Sequence, residues 1–74
     1  MMSKLELKMA ALDAAMYGLA RTHNNYRRLY PKIETQEGRD DAEYVMLEIV
    51  TRINTLKLRK ERAKAQILAT PSEV

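Results

Sequence analysis

The sequence predicts an all-α chain, an antiparallel two-helix hairpin that dimerises into a four-helix bundle. Three observations lead there. Apolar residues recur at alternating spacings of three and four along two long segments, the pattern of a helix with one buried stripe. A short polar stretch containing Pro31 separates the two segments. No run alternates with the period of a strand, and no Asn-Gly or Asp-Gly turn occurs. With 74 residues the chain makes one helical-hairpin domain, 1–74.

The first helix is expected over about 3–30. Ser3 followed by Glu6 forms a capping box at its start. Leu5, Met9, Leu12, Met16, Leu19, His23, Tyr26 and Tyr30 then mark a heptad stripe. Five alanines between Ala10 and Ala20 add helix propensity. Pro31 ends the helix, because it lacks an amide donor and disfavours α geometry in Tyr30. Residues 31–39 are the connection, polar apart from Ile33. The second helix is expected over about 40–69. Asp40 and Glu43 repeat the capping-box pattern, and acids in the first turn suit the helix dipole. Its stripe is Met46, Ile49, Ile53, Leu56, Lys60, Ala63 and Ile67, with Lys60 interrupting the apolar character. Residues 70–74 form a short tail.

One stripe per helix is a poor core for a chain of this size. More of the surface asks for cover. Tyr44, Val45, Leu47 and Val50 extend the apolar surface of the second helix round its circumference, and Ala10, Ala14 and Gly18 form a smooth strip on the first. These seven residues are the candidate dimer or partner-binding surface, and a second copy is the simplest partner.

Catalytic chemistry finds little support. The chain has no Cys and one His, and its serines, Ser3 and Ser72, lie near the ends. No disulfide, thiolate metal site or hydrolase triad can be assembled from these. No glycine-rich phosphate loop is present. The expectation is a protein without catalytic residues, metal, cofactor or small-molecule substrate. No apolar run reaches the roughly 18 residues needed to span a bilayer, so no membrane partner is expected. Charges interrupt the first twenty residues, so a secretory signal is not expected and the assigned compartment is the cytoplasm.

Charge is distributed in three blocks. Residues 1–32 carry six basic and two acidic groups, residues 33–48 one basic and six acidic, and residues 49–74 six basic and two acidic. A basic block can meet phosphate or the acidic block of a second copy. Two clusters are candidates for nucleic acid. One is Arg21, Asn24, Asn25, Arg27 and Arg28, interleaved with Tyr26 and Tyr30; guanidinium groups suit phosphate, amides suit base edges, and tyrosines stack. The other is Lys57, Arg59, Lys60, Arg62 and Lys64, which also complements the dipole at a helix C-terminus.

The reading that follows is a small non-catalytic protein-interaction module of the inhibitor, adaptor or co-chaperone type, acting as a helical-hairpin homodimer on another protein. The alternative is an RNA- or DNA-binding helical dimer that uses one of the basic clusters.

Overall fold

The computed structural model describes residues 2–69. Helix α1 spans Lys4–Leu29, a 3-10 turn spans Tyr30–Lys32, and helix α2 spans Gln36–Ala69. The two α-helices pack against each other as a hairpin, in a rod 63 × 19 × 12 Å in extent.

The start of α1 follows its sequence. The Ser3 hydroxyl accepts from the Glu6 amide, and the Glu6 carboxylate accepts from the Ser3 amide, both at 3.1 Å. Two amide donors left over at the helix start are thereby satisfied. At the other end, Pro31 enters a single 3-10 turn closed by the Ile33 amide on the Tyr30 carbonyl at 3.1 Å. Ile33 then takes an extended conformation, which turns the chain toward α2.

Helix α2 begins at Gln36, four residues before the expected Asp40 start. The cap is Thr35. Its hydroxyl accepts from the Gly38 amide and its carbonyl from the Arg39 amide, both at 3.0 Å. Asp40 and Glu43 are released from capping. Asp40 accepts from the Gln36 side-chain amide at 2.7 Å, and Glu43 accepts from the Tyr30 hydroxyl. The Arg39 guanidinium donates to the Ile33 carbonyl at 2.9 Å and to Gln36 Oε1 at 3.2 Å, fixing the connection onto the first turn of α2. Gly38 is required there by space. A Cβ at this position would lie 2.7 Å from Ile33 Cγ2 and 2.9 Å from the capping Thr35 Oγ1. Helix α2 continues to Ala69, the last described residue, and the expected tail, 70–74, lies outside the described residues.

The predicted stripe is the packed seam. Within α1, Leu5, Met9, Leu12, Met16, Leu19, His23 and Tyr26 are withdrawn from solvent, and every other residue is exposed. In α2, Ala42, Ile49 and Ala63 are buried. Val45, Met46, Ile53, Leu56, Lys60 and Ile67 are half-buried beside them. Ala63, at 1% exposure, is the most enclosed of these, and Ala42 is close behind. Short side chains there let the two backbones approach. Lys60, the polar interruption in the stripe, has a counterion across the seam: its ammonium lies 2.7 Å from Asp13 Oδ1. The pair is partly exposed, so it contributes at most about 1 kcal/mol, but it supplies a partner for a charge on the packed face.

The core remains thin. The chain exposes 6260 Å², against about 4700 Å² for a compact monomer of its mass.

The two glycines predict opposite outcomes. No heavy atom lies within 4 Å of a Cβ placed on Gly18, an exposed helix-interior site. Gly18→Ala should therefore stabilise the chain by about 1 kcal/mol, raising Tm by roughly 4–8 °C. Gly38→Ala gains the same propensity but displaces the Thr35 cap and Ile33, so a net loss of about 1 kcal/mol is expected. Thermal unfolding followed by circular dichroism separates the two.

Candidate interaction surfaces

The seam fixes which residues each helix turns outward. At 100° per residue, the positions opposite the seam of α2 are Tyr44, Leu47, Thr51 and Leu58. Tyr44 and Leu47 are 68% and 66% exposed, and Leu58 and Val50 are also exposed. Tyr44, Leu47 and Thr51 follow the three-four spacing and Leu58 lies two turns further on, beyond Asn54 and Thr55, so α2 carries a second, interrupted stripe on its outer face. The Thr51 hydroxyl donates to the Leu47 carbonyl at 3.0 Å, and the Thr55 hydroxyl to the Thr51 carbonyl at 3.1 Å. Those protons are satisfied within the helix, so the stripe behaves as more apolar than its composition suggests. A shallow hollow lined by Tyr44, Leu47, Glu48, Thr51 and Arg52 opens on this face. Val45 departs from the group. It is half-buried on the seam side and belongs to the hairpin's own packing.

The outer face of α1 holds Ala10, Ala14 and Gly18, all exposed. It looks away from α2. The small-residue strip and the α2 stripe therefore occupy opposite edges of the rod, and the seven candidate residues do not form one patch.

Farther along the same α1 face lie Tyr17, Arg21, Asn24, Asn25 and Arg28. The Arg21 guanidinium lies 6.0 Å from the centre of the Tyr17 ring, within range of a cation–π contact. Arg28 donates to Asn25 Oδ1 at 2.7 Å. Tyr17 is 67% exposed, whereas Tyr26 and Tyr30 are half-buried at the seam. The tyrosine accessible for stacking in this cluster is thus one that the sequence reading passed over. Its signal was available: Tyr17 is off the heptad stripe and one turn before Arg21. Arg27 separates from the group and lines a hollow with Tyr30, Glu43 and Met46 at the junction with α2.

The second basic cluster is dispersed. Lys57, Arg59, Arg62 and Lys64 are exposed around the circumference of α2, and Lys60 is engaged with Asp13. Among the described residues, no group of three or more His, Cys, Asp or Glu is placed to hold a metal ion. No helix among them is long and apolar enough to cross a membrane.

Tyr30 and Glu43 join the two helices at the closed end. The phenol donates to Glu43 Oε1 at 2.5 Å, and this bond, with smaller contributions from desolvation and the carboxylate's charge, raises the Tyr30 pKa above 10.0. A folded-state pKa above the unfolded one contributes stability that is complete below pH 10 and is lost as pH rises through the folded value. Between pH 9 and 11, Tm should fall more steeply in the wild type than in Tyr30→Phe. Parallel curves would show that the bond does not tie the helices.

No family model matches the chain, and neither a curated protein nor a solved structure matches it.

Proposed function

We propose that this chain is a small non-catalytic interaction protein, which pairs with a second copy through the outer face of α2 and, as that dimer, binds and modulates another protein. The observation that carries the reading is the exposed apolar group of Tyr44, Leu47 and Val50 on the outer face of α2, with Leu58 about three turns beyond Leu47 on the same face. Exposed apolar side chains grouped on one helix face are costly in water and suit an interaction site. The surface left exposed beyond that of a compact monomer, about 1560 Å² per chain, exceeds the roughly 800 Å² that each partner contributes to a standard interface.

Charge selects an antiparallel pairing of the two α2 helices. Residues 36–51 carry Glu37, Asp40, Asp41, Glu43 and Glu48 against Arg39, and residues 52–69 carry Arg52, Lys57, Arg59, Lys60, Arg62 and Lys64 against Glu61. A parallel pair would set like against like. An antiparallel pair centred on Thr51 sets Tyr44 opposite Leu58 of the second copy, Glu43 opposite Arg59 and Asp40 opposite Arg62. Because the stripe is opposite the seam, the four helices form a layer with the α2 pair at its centre, in place of a square bundle. Both α1 outer faces stay free, and the Ala10, Ala14 and Gly18 strips remain available to a target helix.

The test is Leu47→Glu. Leu47 makes little contribution to the hairpin, so helicity should be retained. A symmetric interface carries the change twice, so the loss is on the order of 3 kcal/mol or more, at least 100-fold in dimer affinity. Light scattering on a sizing column should read about 17 kDa for the wild type, twice the chain mass of 8.6 kDa, and the chain mass for the variant. A wild type that remains at 8.6 kDa at 100 µM overturns the reading.

A further inference from the structure

We infer that the outer face of α1 is a binding surface for duplex DNA, with Tyr17, Arg21, Asn24, Asn25 and Arg28 entering the major groove. This surface is on the opposite edge of the rod from the α2 stripe and does not depend on the pairing proposed for it.

Charge supports the inference first. From Ala14 to Ile33 the chain contains no acidic residue. Of the acids of α2, Glu43 reaches across to Tyr30 at the closed end and is engaged there, and the others lie beyond the seam. Neighbouring helix axes are about 8–10 Å apart, and the screening length at physiological salt is about 8 Å. A polyanion approaching the outer edge of α1 therefore meets Arg21 and Arg28 with the acidic half of α2 largely screened.

Shape supports it next. The surface is a single convex helix, about 10–12 Å across, and the major groove of B-DNA is about 12 Å wide. The deep, narrow major groove of A-form RNA does not admit side chains from such a helix. Single strands are generally held in a charged groove, which this convex edge does not offer. Tyr17 to Arg28 covers about 16 Å along the axis, or roughly five base steps.

The side chains suit the task. Arginine pairs with guanine, asparagine with adenine, and both also reach phosphate. In the free protein these groups are held by one another. Arg21 rests near Tyr17, and Arg28 bonds Asn25. These are exposed contacts that binding can exchange at little cost.

The experiment is fluorescence anisotropy with a labelled 20-base-pair DNA duplex, in a salt series from 50 to 200 mM. The wild type should bind, and its affinity should fall steeply with salt. Arg21→Ala/Arg28→Ala should weaken binding at least tenfold and reduce the log–log salt slope by roughly 2. Circular dichroism should be unchanged, because both residues are exposed. Lys57→Ala/Arg62→Ala is the comparison variant and should stay within twofold of wild type. No binding at 50 mM salt overturns the inference. So does equal loss in both double variants, tighter binding of a single-stranded RNA of the same length, or displacement by polyglutamate as readily as by DNA.

Discussion

The structure depends on one constraint: a helix in a two-helix hairpin has a single neighbour and can bury only one stripe. Leu5 through Tyr26 on α1 and Ala42 through Ile67 on α2 are those stripes. Everything else follows from what they leave outside. With three residues buried among those described, the free energy of packing is spread over many half-covered side chains. No single contact dominates the seam. Its precision comes from the regular spacing and from alanines where the backbones come nearest.

The two ends of the seam are held differently. At the closed end, the Thr35 cap, the close packing of Ile33 on Gly38, the Arg39 bonds and the Tyr30–Glu43 bond act within one short stretch of chain. They set the rotation of α2 relative to α1. Toward the open end the apolar seam is interrupted by Lys60, and Asp13 on α1 answers it. An ion pair there contributes little free energy but penalises any slip that would leave the lysine against an apolar surface.

The same geometry divides the outer surface. Since the stripes face inward, the two outer faces point in opposite directions, one apolar on α2 and one basic and polar on α1. That division keeps the two surfaces on separate edges of the rod.

Much of this was legible in the sequence. The two stripes, the Ser3–Glu6 capping box and the break at Pro31 are local properties. They are set by spacing, by one hydrogen-bonding motif and by a missing amide, and all act within a few residues. Tertiary structure decided the rest. Asp40 and Glu43 looked like the start of a helix, yet Thr35 caps α2 a turn earlier, because the chain turns back over Gly38. Lys60 read as a weak point until Asp13 was placed across from it. Ala10, Ala14 and Gly18 on one helix and Tyr44 and Leu47 on the other are both candidate contact residues, and the fold sends them to opposite edges. Tyr26 and Tyr30 are drawn into the seam, leaving Tyr17 outward beside Arg21. The physical reason is common to these cases: periodicity fixes which residues share a face of one helix, while only the rotation of two helices against each other fixes where each face points.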